Sequence, residues 1–539
     1  MDTFDVIIIG AGHNGLICGN YLARAGLKVL ICERRMEPGG GLCTEEMTIP
    51  GFWHNIHSFF HRWVPALPFY KDLELEKFGV RYLMPVVQSV APFSDGSCLI
   101  IHQDMDKTCK SIAHFSEKDA KTYREVWQRY DEIRAKIYFP DMYSPPVPFE
   151  EKKALLERFS VGREYLEINE KAPRQVVDEH FESDQLKSML WFICTVKGFT
   201  MDDPGVGIVV PTSVAGGISG AMCIGGSHDL AHGLVKALEA NGGRLYEVSH
   251  VREIVVENGR ATGVVLDDGR AFKAEKAVVS AIDPHQTFLD LVGEDKLESS
   301  FCEKVKNYKY GINAAVLFSV HAALNEPLRH ISAKHDPDID NALNYCIGYE
   351  CVEDFDEHNR EIFAGIPPAK PGMQCAHPTL HDPTQAPPGK HTVFLWQFAP
   401  YNLKDGGPEK WDEIKDEYME TCLARWRHYA PNLDEKNILG KWSFSPLDVE
   451  RNIINMKQGD FHVGAVMQSQ MGENRPVPGL RPYRTPVDGL YMCGSPTHPH
   501  GVITGAPGYN GAGVILDDLG LKKWWDAIDA RSLWEKEHD

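Results

Sequence analysis

Apolar positions near the start of the chain alternate between strand-like runs and a helical period. Phe4, Val6, Ile7, Ile8 and Ile9 form a nearly continuous run. That pattern predicts a strand buried on both faces of a parallel sheet. Leu16 to Ala25 carries helical spacing and stops at Gly26, and Lys28 to Cys32 is a second strand closed by Glu33. Together they make one βαβ unit of about thirty residues. Further along, Leu230, Leu234, Val235 and Leu238 predict a helix over Asp229 to Asn241. Gly243 to Val279 reads as strands parted by Asn258-Gly259 and Asp268-Gly269, both hairpin turn signals. Residues 300–470 mix apolar strands with Pro-rich loops around 366–388. Gly489 to Gly494 is a strand running into a turn, and a helix is expected from near Gly505 through Asp518. There is no internal repeat.

The length of 539 residues fits three to four units of about 150 residues. Lys and Arg number 56 against 76 Asp and Glu, a formal charge of −20. Such a surface repels phosphate backbones, so no nucleic-acid partner is expected. The 13 cysteines include no C-x-x-C pair, which removes zinc knuckles and dithiol motifs and fits reduced thiols in a cytoplasmic compartment. No metal is expected. No basic segment precedes the first apolar run, so no secretory signal is read. Gly205 to Ser227 lacks Lys, Arg, Asp and Glu but holds seven glycines and Pro211. It is a poor membrane helix and is better read as a Gly-rich loop lining a buried cavity.

Between the first strand and helix stands Gly10-Ala11-Gly12-His13-Asn14-Gly15, a G-x-G-x-x-G. Gly10 permits the tight turn, Gly12 removes the Cβ that would block a pyrophosphate, and Gly15 lets helix pack on sheet. The helix N-terminus offers free N–H groups to phosphates. Glu33, at the end of the next strand, is placed to accept hydrogen bonds from ribose hydroxyls. No second strand-led motif of this kind occurs, which argues against a separate NAD(P) domain.

A second glycine cluster, Pro38-Gly39-Gly40-Gly41-Leu42-Cys43-Thr44-Glu45, follows Glu33. With it the N-terminus resembles FAD-binding oxidoreductases of the amine-oxidase and phytoene-desaturase group. The segment Arg475 to Asn510 is similar to the flavin-closing signature of carotenoid-desaturase-like enzymes, with Gly494-Ser495 where many have Gly-Asp. The Cys-Gly-Ser form resembles the pyridine nucleotide-disulfide oxidoreductase domain-containing branch and relatives of carotenoid ketolases. The resemblance covers roughly 1–65, 222–292 and 440–520. It implies FAD as cofactor, held by Gly10, Gly12, Asn14, Gly15, Glu33, Arg34, Gly40, Gly41, Leu42, Val251, Gly494, Ser495, Thr504 and Gly505. Val251 is placed near the adenine and Arg34 near the adenosine half.

The expected fold class is α/β. A discontinuous Rossmann-like FAD domain, a parallel sheet plus β-meander, gathers 1–95, 220–295 and 470–520. An inserted mixed α+β substrate domain takes 96–219 and 296–469, and 521–539 forms a C-terminal helical tail. The implied activity is FAD-dependent desaturation or dehydrogenation of a largely apolar small molecule. Isoprenoid or carotenoid-like compounds and small cyclic or unsaturated carbonyl compounds both fit. Amine oxidation and a catalytically silent flavin-binding module are the alternatives, and the hydride acceptor is left open. The helix from Gly505 would direct its positive end at the flavin and favour its reduced anion.

For proton removal the candidates are His498, His500 and Tyr509, which flank the expected flavin edge. The segment His54, His57 and His61 would share one side if helical, with His57 facing an aromatic pocket. Arg62 suits either a substrate carboxylate or a surface salt bridge. Cys493 reads as a small buried apolar residue. The tail carries Trp524, Trp525, Ile528 and Trp534 and leaves membrane contact or an oligomer interface open. Its Asp526, Asp529 and Glu535 favour docking on protein over anionic lipid.

Overall fold

The computed structural model describes residues 2–311 and 316–539. The expected βαβ unit opens the fold. Strand β1 (Asp2–Ile9) runs into helix α1 (His13–Arg24) and then strand β2 (Val29–Cys32). Val6 to Ile9 and all of β2 are buried, because layers of structure cover both faces of the sheet. Strand β3 (Ala271–Ser280) lies parallel to β1 on its other side, pairing Ile7 with Val278 and Ile9 with Ser280. Strand β4 (Leu490–Met492) continues the parallel sheet beside β3. Arg244–Tyr246 flanks β2, and the antiparallel hairpins 251–257 and 260–266 complete seven strands. Helix α2 (Ala506–Asp518) then crosses α1 so closely that a Cβ on Gly508 would meet the Asn14 carbonyl oxygen at 2.3 Å.

A second seven-stranded sheet has the order 438–444, 317–324, 391–398, 373–376, 344–347, 87–92, 98–102. It is antiparallel except where Asn344–Ile347 lies parallel to Val87–Pro92. Strand 87–92 therefore sits with the inserted elements, although the sequence pattern extends the first domain to residue 95. Helices from 105 to 215 form a separate apolar cluster under this sheet. A small sheet of 60–62, 220–223 and 82–83 joins the two halves. The architecture is α/β, a Rossmann-like nucleotide domain with an inserted mixed α+β domain.

Three expectations need correction. The segment 205–227 is not a loop: it forms a buried helix (Val209–Ala215), a turn and a strand (Gly220–Cys223). Pro211 falls in the first helical turn, where its missing N–H costs nothing. Residues 54–62 are not helical, since 54–55 and 60–62 are strands that point the three histidines apart. The tail is helical only over Ala530–Trp534. It lies on the protein body. Trp524 donates its indole N–H to the Tyr21 carbonyl, Trp525 packs edge-on to Tyr21, and Trp534 donates to the Lys136 carbonyl. Trp534 is fully buried, so Trp534→Ala should cost about 3–5 kcal/mol, measurable as a lowered denaturation midpoint. An unchanged midpoint would mean the tail is not docked. Among the described residues no helix is long and apolar enough to cross a membrane, and the 13 cysteines are free thiols.

Candidate active site

The site begins at the first turn. Gly10 has φ +95°, a conformation that favours glycine, and a Cβ on Gly15 would lie 2.2 Å from the Gly10 carbonyl oxygen. Strand and helix can therefore approach only with glycine at Gly15. At Gly12 the situation is opposite, since a Cβ would find no protein atom within 4 Å. Its space opens into a long cavity. The second glycine cluster closes over this turn through a bridge between Gly12 and Gly39.

Glu33 is held rigidly. One carboxylate oxygen accepts from Ala11 N at 2.8 Å and the other from Arg35 N at 2.8 Å. Each oxygen keeps a second lone pair for a ribose hydroxyl. The last glycine turn meets the first, for Asn14 Nδ2 donates to Ser495 Oγ at 3.4 Å and His13 Nε2 pairs with the Val502 carbonyl at 3.2 Å. Asn14 Oδ1 is buried with no hydrogen-bond partner.

One cavity runs along all of these groups. Of the residues assigned to the cofactor, its lining includes Gly10, Gly12, Asn14, Gly15, Glu33, Arg34, Gly40, Gly41, Val251, Ser495 and Thr504. Leu42, Gly494 and Gly505 stand outside the lining. Leu42 is packed in the core. A Cβ on Gly494 would strike the Ala281 carbonyl, and Gly505 has φ +68° at the start of α2 against Ile17 and Phe69. These three shape the turns from behind.

The same cavity continues between aromatic and aliphatic walls, among them Phe59, Phe60, Trp63, Tyr138, Phe192 and Phe199. His57 and His500 line it. His498 and Tyr509 do not. His498 Nε2 pairs with the Asp141 carbonyl at 2.8 Å, and Tyr509 packs among Tyr21, Tyr143 and Trp525, its hydroxyl accepting from Ile528 N. His54 is turned toward Thr48 and His321, and His61 bridges Ser58 and Tyr82.

Burial pushes the His57 imidazole down to about 3, so it is neutral at physiological pH, and neither of its nitrogens has a partner. His500 is also held well below the ordinary histidine value by burial. Its Nδ1 lies 2.6 Å from the Gly501 carbonyl. A carbonyl only accepts, so Nδ1 carries the proton and Nε2 keeps its lone pair. Arg62 is not in a surface salt bridge. It lines the cavity and donates to the Gly216 carbonyl. Lys197, which no sequence motif marks, lines the same cavity. It is the only charged residue between Lys187 and Asp202, and that isolation is a usable signal. Thr212, Ser249 and Asn455 in the lining carry none.

The comparisons with known proteins agree with this geometry. The Thi4 family profile matches residues 1–50. A limonene dehydrogenase chain of Castellaniella defragrans is 32% identical, with 97% of this chain and 96% of that protein covered. The pyridine nucleotide-disulfide oxidoreductase domain-containing protein 2 of Rattus norvegicus is 31% identical over 96% of this chain and 94% of its own. The chain belongs to the phytoene-desaturase-like family of FAD-dependent oxidoreductases. The structure of putrescine oxidase bound to putrescine shares the fold, at TM-score 0.58 and 16% identity over 96% of this chain and 99% of that one.

In this FAD-dependent oxidoreductase the cofactor is accommodated by what is present. The open space at Gly12, the orphaned Asn14 Oδ1 and the remaining lone pairs of Glu33 supply the room and the polar contacts that a dinucleotide needs. Glu33→Gln should weaken FAD retention roughly ten-fold or more, because a charged acceptor is lost and one of the two backbone N–H groups, Ala11 or Arg35, is left facing an amide donor. FAD dissociation followed by fluorescence measures this, and unchanged affinity would remove Glu33 from the ribose.

Proposed function

We propose that this flavoprotein dehydrogenates a small, largely apolar, unsaturated cyclic substrate of the isoprenoid class. The observation that carries the reading is the single cavity that joins the dinucleotide turn to an aromatic and aliphatic pocket. FAD, when bound, supplies a hydride acceptor. Phe59, Phe60, Trp63 and Phe199 exclude water and present flat surfaces to a ring or alkene. His500, whose Nδ1–H is fixed on the Gly501 carbonyl and whose Nε2 lone pair is free, is the group we assign to take the proton. His57, neutral and unpartnered, shapes the apolar wall. The 32% identity to a limonene dehydrogenase chain supports a monoterpene-sized substrate over a long polyene.

Anaerobic mixing of the FAD-loaded protein with limonene, other cyclic alkenes, cyclic enones, polyenes and amines tests the reading. Bleaching of the visible flavin band by cyclic alkenes or enones is expected. Bleaching by amines alone would assign amine oxidation. No bleaching by any compound, in a protein whose flavin dithionite still reduces, would point to the silent binding module.

A further inference from the structure

We propose that Arg62 and Lys197 together bind the carboxylate of an apolar acid, so that the substrates of this cavity include monocarboxylates with a cyclic or branched unsaturated body. The proposal rests on the reading of the cavity as an apolar-substrate pocket and adds a charged anchor to it.

The two cations line one cavity, and their partners, the Gly216 carbonyl and the Thr212 hydroxyl, lie one helical turn apart. Arg62 stands on the strand Phe60–Arg62, where it donates to the Gly216 carbonyl and lies 5.6 Å over the Phe60 ring. Lys197 follows directly on the helix Asp184–Val196, and its Nζ donates to Thr212 Oγ1 at 3.1 Å. Among the described residues neither is paired with a carboxylate, and residues 1 and 312–315 include no Asp or Glu.

Buried charge without a counter-ion is costly. Lysine can escape by losing its proton, and burial together with the Arg62 charge does hold the Lys197 ammonium well below its ordinary value. Arginine cannot escape. Burial lowers Arg62 only to about 10, so it stays charged at neutral pH. One backbone carbonyl and one ring face leave most of its five N–H donors unused. A carboxylate matches that fork in shape and charge. It would also offset the repulsion that Lys197 feels from Arg62, so acid binding would strengthen the hold of Lys197 on its proton.

The neighbours restrict what carries that carboxylate. Trp63, Phe192, Val196, Ile208 and Val209 line the same cavity with apolar surface. They suit a hydrocarbon body and reject a polyanion. The start of α1, with its free N–H groups, is the place for the dinucleotide phosphates, so they do not require these two cations.

The test uses the full-length FAD-loaded protein and calorimetry with cyclohexene carboxylate, its methyl ester and the corresponding alcohol. The acid should bind roughly 10- to 100-fold more tightly than the ester. Repeating the titration at several pH values, in buffers of different ionisation enthalpy, should reveal proton uptake on acid binding. Arg62→Gln and Lys197→Met should lower acid affinity to that of the ester while leaving ester affinity unchanged, and Lys197→Met should abolish the proton uptake. Arg62→Lys should recover part of the preference. If Arg62→Gln fails to fold, Lys197→Met carries the test, because it replaces the lysine with an unbranched apolar side chain of similar length.

Equal binding of acid and ester by the wild type would overturn the proposal. So would an acid preference that survives both variants. A change in flavin spectrum or reduction potential in the variants, with acid preference intact, would assign the cations to the flavin instead. None of these readouts needs turnover. An acid that binds without bleaching the flavin would fault the proposed reaction and leave this assignment standing.

Discussion

Gly12→Val should yield a folded protein that emerges without its yellow chromophore. A Cβ at this position meets no protein atom within 4 Å, and the backbone there, with φ −64°, suits any residue. The added methyl groups would instead fill the space where a pyrophosphate approaches the start of α1. Overpacking of this kind costs about 1–3 kcal/mol per clash. Two methyls plus lost phosphate hydrogen bonds should therefore weaken FAD roughly 100-fold or more. Gly15→Ala is the counter-case. Its Cβ would lie 2.2 Å from the Gly10 carbonyl oxygen and 3.0 Å from Ala281 Cβ, so it should lower apoprotein stability by about 2 kcal/mol or more. Occupancy by absorbance and apoprotein unfolding by circular dichroism separate the two. A Gly12→Val protein that keeps FAD would show that the dinucleotide does not lie across this turn.

The second large effect is acid instability. Burial lowers His13 and His358 to about 4, and His54, His57, His61 and His462 to about 3. In the unfolded chain each titrates near 6.5. Folded pKa values below the unfolded ones mean that the unfolded state binds more protons, so stability rises with pH in this window. The full contribution is present above about 6.5 and is lost as pH falls toward 4. The limit is about 1.4 kcal/mol per histidine per pH unit. Asp460, whose buried carboxyl is pushed up, offsets part of this. Several kcal/mol should still disappear between pH 7 and pH 5. The melting temperature should fall steeply as pH drops below 6.5. A flat profile to pH 5 would mean that these imidazoles are hydrated or paired when protonated.

What the sequence revealed follows from how local each signal is. The βαβ unit, the helix before the meander and α2 were legible because apolar spacing, turn glycines and the order of strand, loop and helix agree within thirty residues. The hairpins at Asn258-Gly259 and Asp268-Gly269 were legible for the same reason. The histidine segment misled because spacing of three and four also occurs in strands broken by a bend, where tertiary pairing with 220–223 overrides it. The tail misled because Trp524 and Trp525 are fixed by contacts with α1 and α2 rather than by a helical period of their own. The wall formed by Phe59, Phe60 and Trp63 was legible as an aromatic cluster, whereas the wall contributed by helices of the inserted domain carries no motif. Thus the cofactor side could be read residue by residue, while Lys197, Tyr138 and Phe192 emerged only when distant segments were brought together.

The hydrogen bond from Asn14 to Ser495 spans 481 positions of chain, and that from Trp524 to Tyr21 spans 503. On a ribosome the residues that finish the first turn leave the exit tunnel 481 positions after it. Until then the nucleotide pocket is open on one side, with α1 lacking its packing partner. Capture of the flavin is therefore a late event in biogenesis. Cells short of riboflavin would accumulate finished apoprotein with an unfilled pocket, a form that opens more readily and that proteases clear.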